Sequence, residues 1–364
     1  MKKIIISIIS FLVAFQLTAQ PSKPVRLGIA GLSHSHVQPL LRNMKSPWFE
    51  IVGIYEPNNE MASRYAENYK FDKSLIYNKL DEMLDRTRPE GVLTFTSIFE
   101  HLQVVRACAP RGIHVMVEKP LAVSTKHAYE MKSLADKYKI MVLTNYETTW
   151  YPSNHKVYEM LSDKMAGDVR RIMVYDGHKG PQEIRVNPEF LDWLTDPVLN
   201  GGGAVIDFGC YGADLITWLL NGEKPQSVFA VLKQYKPDIY PKVDDDATIV
   251  LTYPTLTGVI YASWNWPFNR KDMHIYGSSG YIFSDDSQNI RYKLSEKMPE
   301  EAIKLPLRQS PSDNPFTFFS ASIRGDVTIT ENDLSSLKTN ITVVEILEAA
   351  GKSSRTGKPV KLTR

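Results

Sequence analysis

Strand-length apolar runs alternate with amphipathic stretches of helical period from Val25 to about Thr144. The apolar runs are "VRLGIAG", "FEIVGIYEP", "GVLTFTS", "HVMVEKP" and "IMVLTNY". Between them lie helical patterns such as "NEMASRYAENY" and "TKHAYEMKSLADKYK". Strands that alternate with helices of this length are typical of βαβ units. The pattern therefore predicts a doubly wound parallel sheet over residues 21–146.

The pattern changes after about Glu147. A helical stretch, "SNHKVYEMLSDKM", precedes longer runs of period two, among them "VRRIMVYDGHKG", "DDATIVLTYP" and "LTGVIYASWNW". These runs favour a large, open, mostly antiparallel sheet, interrupted by one helix in "GADLITWLLNG". A last helix is predicted over residues 330–351, from a capping box that begins at Thr330 to Gly351, and it can pack across the domains. We therefore expect an α/β fold whose second, α+β domain covers residues 147–364.

Residues 1–20, "MKKIIISIISFLVAFQLTAQ", differ in kind from the rest of the chain. Two lysines precede an apolar run from Ile4 to Leu17, and "LTA" supplies a small-residue cleavage site. The run is shorter than the roughly 20 residues that span a bilayer, which favours a cleaved signal peptide over a short membrane anchor. We expect a periplasmic or secreted protein with no membrane attachment after cleavage.

Composition narrows the class of protein. Apolar residues make up 43% and charged residues 23% of the 364 positions, as in a folded globular protein. Cleavage of the leader removes two of the 43 basic residues, which leaves 41 basic and 41 acidic residues. Without a polybasic stretch, nucleic acid is not an expected partner. Cys108 and Cys210 lie among apolar residues and are predicted to be buried free thiols rather than a disulfide.

The turn after the first strand, "GLSHSHV", occupies the place of a G-x-G-x-x-G dinucleotide fingerprint. On that register the three glycine positions are Gly31, Ser33 and His36. Gly31 keeps the tight turn, and the Ser33 hydroxyl could donate to a phosphate. His34 and His36 are two residues apart, which would place them on different faces of a helix, so no metal site is predicted. The turn indicates an altered nucleotide site.

Two further positions suit a nicotinamide dinucleotide. Glu56 ends the second strand, where an acid accepts hydrogen bonds from both ribose hydroxyls and repels a 2′-phosphate, which favours NAD over NADP. A solvated acid at a strand end is the alternative for this residue. In "VMVEKPLA", Lys119 follows Glu118 at the carboxyl end of a strand, where ligands bind in open α/β sheets. A surface ion pair is the alternative there.

The third stretch with chemical potential is "GGGAVIDFGCYGADLITWLL". Asp207, Tyr211 and Asp214 are spaced four and three apart and would share one helical face. An acid and a phenol on that face could orient and deprotonate a hydroxyl. Helix capping by Asp207 is the alternative interpretation.

With "EKP" and a GGG…D-x-G-x-Y-x-x-D pattern about ninety residues apart, the chain resembles the Gfo/Idh/MocA family of NAD(P)-dependent oxidoreductases. The resemblance implies that Lys119 hydrogen-bonds the reacting hydroxyl and the nicotinamide ribose, and that Asp207 holds the substrate. It implies Tyr211 as the general base, its pKa lowered by the neighbouring Lys119 ammonium. It also implies a homodimer or homotetramer built on the second sheet.

The sequence departs from the family where "TTWYP" replaces a basic residue ahead of the second domain. Trp150 there, with Trp193, Trp264 and Trp266 elsewhere, could stack on a sugar ring or belong to the core, and His178 in "YDGHKG" is a further candidate contact. The predicted catalytic residues are Lys119, Tyr211 and Asp207. The predicted cofactor residues are Gly31, Ser33, His34, His36, Glu56, Thr96, His101, Glu118 and Lys119, and the predicted substrate residues are Lys119, Trp150, His178, Asp207 and Tyr211.

These residues predict an exported, NAD-dependent oxidoreductase that acts on a hydroxyl of a sugar, glycoside or polyol. One form of this hypothesis is a redox-neutral cycle with retained NAD, as in an NAD-assisted glycosidase or epimerase. The other hypothesis is a non-catalytic sugar- or partner-binding protein that has lost NAD turnover. The altered fingerprint favours the second hypothesis, whereas Lys119, Asp207 and Tyr211 together favour the first.

Overall fold

The computed structural model describes residues 23–362, so the predicted signal peptide lies outside the described residues. The first sheet has six parallel strands in the order β3-β2-β1-β4-β5-β6. The strands are β1 (Val25–Ala30), β2 (Phe49–Tyr55), β3 (Ile76–Tyr77), β4 (Gly91–Thr94), β5 (His114–Glu118) and β6 (Val142–Asn145). The order reverses between β1 and β4, which confirms the doubly wound sheet and places a ligand crevice at their carboxyl ends.

Five α-helices connect these strands, and side-chain caps explain where two of them begin. The helices are α1 (Val37–Arg42), α2 (Asn59–Tyr69), α3 (Leu80–Thr87), α4 (His101–Cys108) and α5 (Thr125–Tyr138). The Asn58 side chain accepts from Met61 N at the start of α2, and Ser124 accepts from His127 N at the start of α5. Helices on both faces bury the strands, and all four residues of β4 are buried.

The second sheet has nine strands in the order β14-β13-β12-β11-β7-β10-β9-β8-β15. Its strands are β7 (Val169–Gly177), β8 (Ser227–Lys233), β9 (Asp246–Thr252), β10 (Thr257–Ser263), β11 (Arg270–Gly277), β12 (Tyr281–Ser284), β13 (Asn289–Lys293), β14 (Glu301–Lys304) and β15 (Val360–Lys361). Neighbours pair antiparallel apart from β7 with β10. The prediction of a mostly antiparallel sheet is confirmed.

One face of this sheet is covered by helices. The remaining helices are α6 (Pro152–Ser162), α7 (Pro188–Leu194), α8 (Ala204–Asp207), α9 (Gly209–Leu219), α10 (Pro315–Arg324) and α11 (Leu337–Thr356). Every residue of α9 is buried, because the helix lies between the sheet and α11. An apolar sequence all around a helix is typical of such a position.

The last helix is displaced from its predicted bounds at both ends. Ser336 caps α11 by accepting from Thr339 N, whereas Thr330 N–H bonds to the Asp333 carboxylate in a turn ahead of the helix. The helix passes through Gly351 and ends at Gly357, which has a φ of 66°. It contacts α5 and β6 of the first domain as well as α9 and β8 of the second, and so packs across both.

Two observations bear on the composition-based expectations. Cys108 and Cys210 are buried and free, as predicted. Among residues 23–362, none of the helices is both long enough and apolar enough to cross a membrane.

Candidate active site

Lys119 of the first domain contacts Asp207 of the second domain. It follows β5, is 5% exposed, and its peptide bond to Pro120 is cis. Its Nζ donates to the backbone oxygen of Asp207 at 3.0 Å and forms an ion pair with Asp207 Oδ1. Burial alone lowers the pKa of Lys119, but the Asp207 carboxylate outweighs it and the net pKa is raised. The ammonium group therefore stays charged.

Asp207 is held from both sides. It is the last residue of α8, and its Oδ2 accepts from Nε1 of Trp264 at 2.9 Å. Burial alone raises the pKa of Asp207, but the charge of Lys119, then His178, and the hydrogen bonds from Lys119 and Trp264 bring the net pKa below its ordinary value. Trp264 is fully buried, so this residue positions the carboxylate from the core of the second domain.

Tyr211 lies in the first turn of α9, near two ammonium groups. Lys119 Nζ is 5.2 Å and Lys271 Nζ 4.8 Å from the centre of its ring. Its hydroxyl forms no hydrogen bond within the described residues, and Tyr211 lines a cavity of about 900 Å³. Burial, followed by the charge of Glu147, raises the pKa of Tyr211 well above its ordinary value. The expectation that Lys119 lowers this pKa is wrong, because desolvation and nearby carboxylates dominate.

The shared helical face predicted for Asp207, Tyr211 and Asp214 is wrong. Phe208 separates α8 from α9, so Asp207 does not belong to the helix that carries the other two. Asp214 is fully buried, lies outside the cavity lining, and neither carboxyl oxygen has a partner among the described residues. Burial raises the pKa of Asp214 well above its ordinary value. Of these three residues, only Asp207 and Tyr211 line the cavity.

His178 lines the same cavity, as expected for a substrate contact. Its Nδ1 accepts from Gly180 N at 2.9 Å, and its ring meets Phe208 edge to face at 4.9 Å between centroids. Burial lowers the pKa of His178, which keeps the ring neutral. With Nδ1 as an acceptor, Nε2 carries the proton and can donate to a ligand.

Trp150 does not reach the cavity, which corrects its prediction as a substrate residue. Its ring packs edge-on against Phe318 at 5.2 Å, and its Nε1 donates to Asn145 Oδ1 at 3.1 Å. The neighbouring Tyr151 lines the cavity instead. Adjacent residues point in different directions here because a short 3₁₀ helix, Glu147–Trp150, ends between them.

The other tryptophans also lie outside the cavity lining. Trp264 is core, and Trp266 Nε1 donates to the backbone oxygen of Asp176 at 3.3 Å. Trp193 packs against the turn after β1. None of the three is placed to stack on a sugar inside the cavity.

The part of the cavity wall formed by Lys271, Glu147 and Tyr151 was not predicted from the sequence. Lys271 forms an ion pair with Glu147, and the Tyr151 hydroxyl donates to the other Glu147 oxygen at 2.6 Å. Phe268 and Arg270 extend this wall. Lys271 belongs to β11 in "RKDMHIYG", where no sequence motif distinguishes it from any strand lysine. Only the pairing of β11 with β7 brings it to Tyr211.

The predicted cofactor residues lie along the carboxyl edge of the first sheet. Gly31 has a φ of +83°, and a Cβ there would lie 2.6 Å from Thr96 Cγ2, so only glycine fits against Thr96. Glu56 accepts from the backbone N–H groups of Leu32 and Asn58, each at 2.9 Å. Burial raises the pKa of Glu56 to about 7.

His34 and His36 do not point to different faces, because both precede α1. Their ring centroids are 4.4 Å apart, and His36 Nδ1 lies 2.9 Å from Glu118 Oε2. Ligand atoms of these three residues lie within 4.8 Å of one another, a spacing that could hold a metal ion. The geometry used to predict no metal is therefore wrong. Both Glu118 oxygens are already engaged, since Asn145 Nδ2 donates to the other at 2.8 Å.

Unpartnered polar atoms at this edge test whether a dinucleotide suits it. His101 is fully buried, its Nδ1 lies 3.2 Å from the Leu121 oxygen, and its Nε2 has no partner among the described residues. Thr94 Oγ1, at the end of β4, is likewise buried and unpartnered. Burial lowers the pKa of His101 to about 4, so the ring is neutral. Buried polar atoms without partners are uncommon, and here they suit a polar ligand.

Two family models match the chain in succession. Residues 25–146 match an oxidoreductase-family model with an NAD-binding Rossmann fold, and residues 154–283 match a GFO/IDH/MocA C-terminal domain. The chain belongs to the GFO/IDH/MocA oxidoreductase family. Its first domain is thus the NAD-binding domain of this family, as the sequence motifs predicted.

Curated relatives and solved structures agree with this assignment. Trans-1,2-dihydrobenzene-1,2-diol dehydrogenase of Xenopus tropicalis is 26% identical over 233 residues, which cover 64% of this chain and 66% of the relative. The enzyme of that name from Sus scrofa is 25% identical over 63% of this chain and 65% of its own. The chain thus spans slightly less than two thirds of the length of these relatives.

Among solved structures, an inositol dehydrogenase homologue from Azotobacter vinelandii complexed with NAD⁺ has a TM-score of 0.80 at 17% identity, covering 94% of this chain and 98% of its own. The aldose–aldose oxidoreductase of Caulobacter crescentus complexed with glycerol has a TM-score of 0.78 at 20% identity, covering 93% and 100%. At these identities the likeness supports the fold.

Proposed function

We propose that this family member is an NAD-dependent oxidoreductase that interconverts a hydroxyl and a carbonyl group of a sugar, glycoside or polyol. The proposal rests chiefly on one observation. Lys119 from the first domain and Asp207 and Tyr211 from the second meet at one cavity. The relatives named for diol and inositol dehydrogenases support a polyhydroxy substrate.

Bound NAD supplies or accepts the hydride at its nicotinamide ring. Glu56, His101 and Glu118 line the edge along which the dinucleotide would lie. Lys119 Nζ has three N–H donors and gives two of them to Asp207, which leaves the third for the reacting oxygen. Tyr211 can give its unpartnered hydroxyl proton to the same oxygen.

The protonation states of Lys119 and Tyr211 define what the site can do. Lys119 and Tyr211 are both protonated, because the pKa of each is raised. They can therefore stabilise and protonate a carbonyl oxygen as it becomes an alkoxide. In the reverse direction, one of these groups must first release its proton to solvent; it then takes the proton of the substrate hydroxyl as the hydride leaves for NAD. His178 and the Glu147–Lys271 pair offer further donors and acceptors for the other hydroxyls of the substrate.

We also propose that the protein is exported and that it forms homo-oligomers. The basic and apolar leader in residues 1–20 supports export, and N-terminal sequencing of protein from the periplasm or medium tests it by locating the cleavage site.

The outer face of the second sheet supports assembly. It carries a stacked pair, Tyr175 and Tyr261, with ring centroids 4.9 Å apart, and Tyr276 is 38% exposed. Light scattering on the purified protein measures the oligomeric state.

The first experiment on the activity is to denature the purified mature protein and measure released NAD(H) by mass spectrometry. We expect NAD(H) in the protein, turnover of a polyol or glycoside panel, and loss of turnover in the Lys119→Ala and Tyr211→Phe variants. A protein that contains no NAD(H), and that binds none by calorimetry, would overturn the proposal in favour of a sugar-binding protein.

A further inference from the structure

The turn after β1 is covered by a helix of the second domain. Asn187, which precedes α7, donates from Nδ2 to the backbone oxygen of Ser33 at 3.0 Å. Trp193, in the same helix, donates from Nε1 to Ser33 Oγ at 3.1 Å. Ser33 occupies the second glycine position of the fingerprint, so its hydroxyl serves a contact between domains that glycine could not make.

The next residue of the turn completes this contact through its ring. His34 is 1% exposed, and its ring centroid lies 4.4 Å from that of Phe190 and 5.6 Å from that of Trp193. Burial lowers the pKa of His34 well below its ordinary value, so the ring packs in its neutral form. Two hydrogen bonds and an aromatic cluster therefore join the turn to α7.

Two further contacts join the same stretch of chain to the first domain. We call residues 187–199 the cover segment. Glu189 forms an ion pair with Arg64 of α2, and the Leu199 oxygen accepts from Phe99 N at 2.9 Å. The Arg64 side chain is 45% exposed, so this ion pair adds little by itself. The buried contacts at Ser33 and His34 carry most of the attachment.

The cover segment contacts the turn at which a dinucleotide binds in doubly wound folds. In doubly wound folds the pyrophosphate binds at the turn after the first strand. Here three backbone N–H groups of that turn are already bonded within the chain. Leu32 N donates to Glu56, His34 N to the Phe95 oxygen, and His36 N to His34 Nδ1. A cofactor bound at this turn therefore shares it with the cover segment.

We propose that Asn187 and Trp193 are cofactor-positioning residues, which hold the turn through Ser33 and must release it before NAD can exchange. This proposal rests on the proposed function and deepens it, because a cofactor held beneath the cover segment is retained between turnovers. It explains why the second fingerprint glycine is replaced by Ser33. That glycine usually permits close approach of the turn to pyrophosphate, whereas here the turn is shaped by contacts to the second domain.

The test compares rates of cofactor release in matched variants. Trp193→Phe keeps the aromatic packing and removes the donor, Ser33→Ala removes the acceptor, and Trp218→Phe is the control for loss of a tryptophan away from the turn. Protein loaded with NADH is mixed with excess NAD⁺, and the loss of bound-NADH fluorescence is followed by stopped flow. Because one hydrogen bond contributes about 1 kcal/mol, we expect release roughly fivefold faster in each test variant.

The double variant and hydrogen exchange make the result specific. Trp193→Phe with Ser33→Ala should release NADH no faster than either single variant, because both remove the same bond. Amide exchange of residues 31–36 should be faster in the test variants and unchanged in Trp218→Phe. If Trp193→Phe does not fold, Asn187→Ala takes its place, since it removes the other donor to Ser33.

The outcomes separate this proposal from the proposed function. Release at the wild-type rate in all variants, with polyol turnover intact, would overturn the positioning role alone. Faster release without turnover of any polyol or glycoside would support the positioning role and contradict the proposed activity. Failure of the wild type and of every variant to bind NADH would overturn both.

Discussion

The ion pair between Lys119 and Asp207 allows a quantitative prediction for the variant Asp207→Asn. Each oxygen of the carboxylate accepts from one donor, Lys119 Nζ on one side and Trp264 Nε1 on the other. An asparagine matches one of these donors and turns its own N–H₂ group toward the other. Both side chains of the ion pair are only 6% exposed, so water from the cavity can compensate only in part.

We expect Asp207→Asn to lower the free energy of unfolding by about 3–5 kcal/mol, the usual cost of leaving one charge of a buried pair unpartnered. Asp214→Asn is the matched control. That carboxyl is equally buried but has no partner among the described residues, and burial keeps it protonated, so the amide replaces a neutral group. The control should cost no more than about 1 kcal/mol.

Urea unfolding followed by tryptophan fluorescence at neutral pH measures both variants. The double variant Lys119→Met, Asp207→Asn should recover at least about 1.5 kcal/mol of the loss, since no unpaired ammonium group remains buried. The reasoning would be refuted if Asp207→Asn lowered the free energy of unfolding no more than Asp214→Asn does. It would also be refuted if the loss in the double variant equalled the sum of the losses in the single variants Lys119→Met and Asp207→Asn.

The pH dependence of this pair follows from the two pKa directions. The pKa of Asp207 is lowered in the folded state, so its contribution is present above the unfolded value of 3.8 and is lost as the pH falls through the folded value. The pKa of Lys119 is raised, so its contribution is present below 10.5 and is lost as the pH rises through the folded value. The stability difference between wild type and Asp207→Asn should therefore be constant from about pH 5 to neutral pH, and it should shrink at higher pH as the unpaired Lys119 of the variant loses its proton.

Three further predictions concern the cavity wall, the cofactor edge and the thiols. Lys271→Met should raise KM for the polyol substrate about tenfold with little change in kcat, because it removes one charged donor from the cavity wall formed by Lys271, Glu147 and Tyr151, as steady-state kinetics would show. Glu56→Gln should remove a fall in wild-type stability between pH 4.5 and about 7, where folded Glu56 keeps a proton that the unfolded chain has lost, as urea unfolding at several pH values would show. Cys108 and Cys210 should not react with a thiol reagent until urea unfolds the protein, because burial raises the pKa of both.

Each of these predictions has a contradicting result. A large loss of kcat in Lys271→Met at constant KM would mean that this ammonium acts on the chemical step. An unchanged pH profile in Glu56→Gln would mean that Glu56 titrates at its ordinary value. Rapid modification of either thiol in the native protein would mean that its helix opens locally.

The family pattern in the sequence was sufficient for the two-domain fold and for the centre of the site. Apolar periodicity indicates which segments form strands, and the six strands of the β1–β6 sheet follow from this local pattern. Lys119, Asp207 and Tyr211 were identifiable because they belong to short motifs. Each motif contains the local geometry that directs its side chain, such as the strand end before Lys119.

Contacts between distant segments could not be predicted from the sequence. Lys271 reaches Tyr211 through the register of β11 against β7, and Trp264 reaches Asp207 across 57 positions of the chain. Trp150 was misplaced because a 3₁₀ turn ends beside it, and the direction of a side chain at such a turn depends on what packs around it.

By itself, the sequence determined that this chain forms an NAD-binding domain with an altered fingerprint at Ser33 and His36. Only the tertiary structure shows what the altered turn contacts. The hydroxyl of Ser33 and the ring of His34 meet Trp193 and its neighbours, which lie about 160 positions away. Sequence periodicity reports which face of an element is apolar, whereas the partner of that face is chosen by packing of the whole chain.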